Sequence, residues 1–135
     1  MIKYSELRLG RHVVCELHVH LVFVTKRRHV LDADALERLR GYLAKICGDF
    51  EATLTEFNGD DDHVHLLVAY GPKVQLSKLV NSLKGASSRL LQRDRPDLVA
   101  RLTQGPLWSP SYFAASCGGA PLTVIKAYIE NQRGT

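Results

Sequence analysis

Between Asp62 and Tyr70 two histidines stand two residues apart among aliphatic side chains: Asp62-His63-Val64-His65-Leu66-Leu67-Val68-Ala69-Tyr70. In a strand, successive side chains point to opposite faces, so His63 and His65 share one side while Val64, Leu66 and Val68 share the other. The pattern demands a sheet with a covered apolar face and an open face that carries two imidazoles. Few folds satisfy it, and the rest of the chain narrows them further.

Residues 12–26 read as a long first strand, rich in Val13, Val14, Leu17, Val19, Leu21, Val22, Phe23 and Val24, and ending in the basic cluster Lys26-Arg27-Arg28-His29. Leu36, Leu39, Leu43, Ile46 and Phe50 recur at helical spacing, and Asp34 with Glu37 resembles a capping box. Residues 52–58 form a second strand, and Asn58-Gly59 signals a tight turn into the third, His63 to Tyr70, which Gly71-Pro72 ends. A second helix spans about Gln75 to Arg93, with the stripe Leu76, Leu79, Val80, Leu83, Ser87 and Leu90 and an outer face of Lys78, Lys84, Arg89 and Arg93; Pro96 ends it or lies just past its end. A fourth strand covers Ser109 to Cys117, Gly118-Gly119 turns the chain, and a last helix starts near Pro121 and runs to about Gln132. The order β-α-β-β-α-β-α predicts an α+β fold: a ferredoxin-like (RRM-like) antiparallel sheet, helices on one face, and an extra C-terminal helix. Nothing divides residues 1–135 into more than one domain.

Charge and cysteine usage limit the function. The net charge of +4 favours a polyanionic partner, and a dimer would carry twice that, +8. Cys15, Cys47 and Cys117 are odd in number and widely spaced, as expected of reduced thiols in the cytoplasm. No apolar run approaches the length of a signal peptide core or a membrane span, so no membrane partner is expected.

An H-x-H pair on one strand face can converge on one metal ion, or can simply be two half-exposed histidines. The last helix adds a second signal. Tyr128 and Gln132 are four residues apart, hence neighbours along the flank of the apolar stripe Leu122, Ile125 and Ile129. A metal held by His63, His65 and the Gln132 amide oxygen would keep open positions for phosphate oxygens. A phenol with an ordinary pKa of ~10 is a poor nucleophile, and a cation beside it would stabilise phenolate and neutralise the phosphate under attack. The alternative is a tyrosine packed at the core rim beside a solvated glutamine. A second H-x-H, His18-Val19-His20, reads as two strand histidines, because neither a repeated His-x-Ser or His-x-Thr nor a fourth zinc ligand beside Cys15 is present. Lys26, Arg27, Arg28, Lys84 and Arg89 could contact DNA. Trp108, Tyr112 and Phe113 read more readily as core or interface aromatics than as base-stacking platforms.

Five blocks in order, His20-Leu21-Val22-Phe23-Val24-Thr25-Lys26 with Arg28, Asp62 to Val68, Leu83-Lys84-Gly85-Ala86-Ser87-Ser88-Arg89, Leu107-Trp108 with Ser111-Tyr112-Phe113, and Tyr128-Ile129 with Gln132, resemble the single-tyrosine HUH transposases. These are the TnpA-type enzymes of small bacterial insertion sequences that move as single-stranded DNA. The resemblance implies that His63, His65 and Gln132 hold Mg²⁺ or Mn²⁺. It implies that Tyr128 is the nucleophile, giving a 5′-phosphotyrosine link and a free 3′-OH. The partner would be single-stranded DNA with hairpins near the element ends, and the enzyme a homodimer whose tyrosine helix can complete either subunit's site. Phosphodiester energy is conserved in such an exchange, in keeping with the lack of a Walker-type loop. Where the family often has Met-Pro-Asp before the histidine pair, this chain has Asp60-Asp61-Asp62, carboxylates that either alter metal preference or are solvated. Three rival readings are a domesticated relative acting on genomic palindromes, a non-catalytic nucleic-acid-binding module, and a metal-dependent phosphoesterase using water. The open face of the third strand lacks the aromatics that an RNA-binding sheet of this kind would present.

Overall fold

The computed structural model describes residues 17–102, 105–116 and 122–133. The elements run β1 (Leu17–Val24), α1 (Ala33–Asp49), β2 (Thr53–Asp60), β3 (His63–Tyr70), α2 (Leu76–Asp94), α3 (Pro96–Leu102), β4 (Phe113–Ser116) and α4 (Leu122–Arg133). The strands form one antiparallel sheet in the order β2-β3-β1-β4, the split βαβ arrangement expected of a ferredoxin-like chain. Cys15, Cys117, the Gly118-Gly119 turn, Pro121 and the first residues of the long first strand lie outside the described residues.

Alternation assigns the two faces. Val19, Leu21 and Phe23 of β1 and Val64, Leu66 and Val68 of β3 are buried against α1 and α2, which contribute Leu39, Leu43, Ile46, Leu79, Val80 and Leu83. Trp108 closes one end of this core, its ring 5.7 Å from Phe23 and its indole N–H donating to Ser87 Oγ at 2.9 Å. The opposite face carries a second and much smaller cluster. There Val22 and Val24 of β1 are covered by Ile129 of α4, with Phe113 and Tyr128 packed at its rim. The helices therefore lie on both faces, with α4 alone on the histidine side.

Four local expectations need correction. Asn58 and Gly59 do not turn the chain: they pair with His65 and Val64, β2 continues to Asp60, and Asp61-Asp62 make the turn. Glycine is present because α1 crosses close by; a Cβ at Gly59 would sit 2.6 Å from Leu36 Cδ2. The cap of α1 is Asp32 rather than Asp34, its carboxylate accepting from Ala35 N at 2.8 Å. Arg95, remote in sequence, grips Asp32 through two bonds and reaches Asp34 and Asp97 as well, which no local window reveals. Past the proline that stops α2, residues 96–102 fold into the short helix α3, and the α2 stripe ends on buried Leu91 with Leu90 only half-buried. Finally, β4 starts at Phe113. Trp108 makes an isolated bridge to Thr25 and Ser109 N donates to Val24 O, after which the chain bulges away through residues 109–111 before rejoining β1.

Candidate metal and tyrosine site

The register of β1 and β3 builds the site. Val22 lies opposite His65 and Val24 opposite His63, so the two imidazoles stand directly beside the valines on which α4 rests. Their ring centroids are 5.1 Å apart in an edge-on arrangement. His20 shares this face, opposite Leu67. Burial, reinforced by the neighbouring His63 and His20 rings, holds His65 below the ordinary histidine range, so at neutral pH it is an uncharged ring with a lone pair to offer.

Read along the chain, Asp62 is only a carboxylate near the site; the fold supplies it with a partner. Asp62 is buried, and its Oδ1 lies 2.9 Å from His63 Nδ1. Adjacent residues within a strand point apart, but Asp62 sits in the turn, where its side chain can fold back on the next ring. Such a pair fixes the imidazole's orientation and leaves Nε2 as the outward donor, the usual device for a metal-binding histidine. The turn itself is pinned, since Asp62 O accepts from Thr25 N at 2.8 Å and Asp61 O from Leu31 N at 2.8 Å. Asp61 pairs with His29, which holds a left-handed backbone at φ 56°.

Tyr128 and Gln132 project from α4 toward one residue. Tyr128 Oη lies 2.8 Å from Ser111 Oγ, and Ser111 Oγ donates to Gln132 Oε1 at 3.3 Å. The Tyr128 ring packs on Phe113 with centroids 5.6 Å apart. Gln132 also lines a cavity of about 240 Å³ with Val24, Thr25, Lys26, Arg27, Arg28 and the buried Asp62. Among the described residues no three His, Cys, Asp or Glu side chains converge as a self-sufficient metal cluster. The donor set present is two imidazoles plus a neutral amide, which suits a divalent cation that must keep positions open for substrate oxygens. A neutral His65, an oriented His63 and an amide oxygen from Gln132 thus fit the group that the family resemblance implies.

The basic residues separate into three situations. Lys26, Arg27 and Arg28 are exposed around the cavity that Gln132 enters. Arg89 lies on the far side of α2 in a wider groove of about 640 Å³ walled by Trp108, Pro106 and Pro110. Lys84 is not on an outer face at all. Half-buried, it directs its ammonium to the carbonyls of Ser109, Pro110 and Ser111 at 2.7, 3.0 and 3.0 Å, which engages all three of its donors, and its side chain lines the same groove as Arg89. Burial lowers its pKa, and Tyr112 packs beneath it with the ring centre 5.7 Å away. Buried Cys47 has its thiol pushed up to about 11 by desolvation and is no nucleophile.

Comparison with known proteins gives a consistent result. The family model described as "Transposase IS200 like" matches residues 13–132. The ISDra2 transposase TnpA of Deinococcus radiodurans is 34% identical over 128 residues, spanning 94% of this chain and 91% of its own length. The transposase for insertion sequence element IS200 of Salmonella typhimurium is 28% identical over 114 residues, 84% of this chain and 74% of its own. A crystal structure of a candidate transposase from Deinococcus radiodurans R1 superposes with a TM-score of 0.83 at 32% identity, covering 93% of this chain and 98% of that one. A REP-associated tyrosine transposase, solved bound to a REP hairpin, shares the fold at a TM-score of 0.52 and 10% identity, with coverage of 90% and 67%.

Proposed function

The chain belongs to the IS200-like transposase family, and from that premise we propose that it cleaves and rejoins single-stranded DNA at the ends of an insertion sequence through a covalent bond to Tyr128. The observation that carries the reading is the meeting of Tyr128 and Gln132 at Ser111, on the same sheet face as the His63 and His65 pair. The Tyr128 phenol oxygen attacks the scissile phosphorus and loses its proton. The P–O3′ bond breaks, the 3′ oxygen leaves and is protonated, and the 5′ side remains as a phosphotyrosine. Attack by a 3′-OH of another end reverses these events and joins two strands without a net loss of phosphodiester bonds.

The chain's own groups divide the work. His63, oriented by Asp62, His65 and the Gln132 amide would hold Mg²⁺ or Mn²⁺. When bound, that cation neutralises charge on the phosphate oxygens and favours the phenolate form. Lys26, Arg27 and Arg28 surround the cavity beside Gln132 and would guide the DNA backbone to it. Arg89 lines the other groove rather than this cavity and would bind a different stretch of DNA. Hairpins near the element ends are the expected recognition feature, the working unit is expected to be a homodimer, and the setting cytoplasmic. Among the described residues no helix is long and apolar enough to cross a membrane.

The test is a denaturing gel. Protein is mixed with labelled single-stranded DNA from its own element's ends and Mg²⁺ or Mn²⁺. A metal-dependent shifted band is expected from the wild type and none from Tyr128→Phe, with circular dichroism unchanged. A Tyr128→Phe protein that still forms the band would place the nucleophile elsewhere.

A further inference from the structure

We propose that Ser111 is a positioning residue that couples the nucleophile to the amide ligand, a role resting on the reading of Tyr128 and Gln132 given above. Its hydroxyl touches both, at 2.8 Å from the phenol oxygen and 3.3 Å from Gln132 Oε1. A serine hydroxyl has a single proton, and here it goes to the amide oxygen. With that proton on the amide, the phenol is the donor in the 2.8 Å contact, whose geometry suits either oxygen as donor. Two consequences follow from that direction. The phenol oxygen accepts nothing from Ser111 and keeps its lone pairs for an electrophile. Gln132 is held with Oε1, rather than its NH₂ end, turned toward the phenol side, and an amide oxygen retains a second lone pair for a cation.

A serine can act this way only if its own backbone is fixed, and Lys84 provides that. Its ammonium binds the carbonyls of residues 109, 110 and 111 together, from a helix on the other side of the sheet's edge. Two residues farther on, Phe113 pairs with Val22 in the sheet and packs against the Tyr128 ring. Segment 111–113 therefore holds the tyrosine at both its hydroxyl and its ring. Residues 109–111 precede β4 and are not in regular strand form: a regular strand would alternate its carbonyls between β1 and the open edge and could not offer all three to one ammonium.

The experiment compares wild type, Ser111→Ala and Ser111→Thr. Single-turnover cleavage is measured over DNA and metal concentration, and Mn²⁺ binding to DNA-free protein is followed by electron paramagnetic resonance. Loss of one hydroxyl bridge is expected to slow cleavage at saturating DNA by about threefold to tenfold. Mn²⁺ binding should weaken by a similar factor of about three to ten. The DNA concentration for half-saturation should stay constant, and threonine, which keeps the hydroxyl, should restore both rate and Mn²⁺ affinity. Wild-type rate and Mn²⁺ affinity in Ser111→Ala would overturn the inference while leaving the tyrosine mechanism standing. So would a defect confined to DNA affinity, which would make Ser111 a DNA contact. A wild-type protein that forms no Tyr128-dependent adduct would remove the underlying reading and this role together.

Discussion

The two faces of the sheet are built to different standards. On one, α1 and α2 bury Leu39, Leu43, Leu79 and Leu83 completely against alternate residues of β1 and β3. On the other, the described part of α4 rests on Val22 and Val24 through Ile129, supplemented by the half-buried Phe113 and Tyr128. Burying one isoleucine contributes about 1.5–3 kcal/mol, from which the ordering of a twelve-residue helix must still be subtracted. The first face determines whether the protein folds. The second carries His63, His65 and Tyr128, and the described apolar contacts of α4 there centre on Ile129. An enzyme that must grip, release and rejoin DNA ends is well served by such a division.

Substitutions can break or sharpen this contrast. The largest effect is expected at the imidazoles: His63→Ala or His65→Ala should lower metal-dependent cleavage by about 100-fold or more while the protein stays folded, because both rings lie off the main core; His63→Ala should also cost about 1–3 kcal/mol by taking a partner from buried Asp62. Unfolding of either variant would mean that the histidine face is structural after all. Next, Leu83→Ala should cost about 2–5 kcal/mol in urea denaturation. Ile129→Ala, equally apolar but on the other face, should cost about 1 kcal/mol or less and should show itself instead as slower adduct formation. Equal destabilisation by the two would erase the contrast.

The smallest effect concerns acid. The Arg95 guanidinium holds Asp32 and Asp97 below the usual carboxylate range, and Arg38, with Arg95 second, does the same for Asp34. A depressed carboxylate contributes stability above its unfolded value, here 3.8, and loses it as pH falls through the folded value. Stability should thus decline below about pH 4, and Arg95→Gln should flatten that decline without touching cleavage at neutral pH. A steep acid loss that survives in Arg95→Gln would assign it to other carboxylates.

What could be read in the sequence was whatever depends on period. The alternation through His63 and His65, the leucine stripes of α1 and α2, and the four-residue step from Tyr128 to Gln132 all gave faces that the fold uses. What could not be read was contact between distant segments. Gly59 looked like a turn because its real reason for being glycine is Leu36 on another element. Lys84 looked like a surface cation because the loop that takes up its donors is 25 residues away. Ser111 stood only inside a block that carried the resemblance and had no role of its own, since a serine near a strand start is ordinary until α4 is laid over it. Asp62 was visible as a carboxylate, but its bond to His63 depends on the turn falling at Asp61-Asp62 and not three residues earlier.

That turn has a consequence for how the protein can change over generations. Both its carbonyls are tied to the segment that follows β1, and the hairpin it closes has a side-chain period of two. Replacing one residue there alters one side chain. Inserting or deleting one would slide the register and exchange His63 and His65 with Val64 and Leu66, turning imidazoles into the core and aliphatics onto the DNA side. The hairpin should accept point changes far more readily than changes in length, so natural variation at this site is expected to be written in substitutions, with its length held constant.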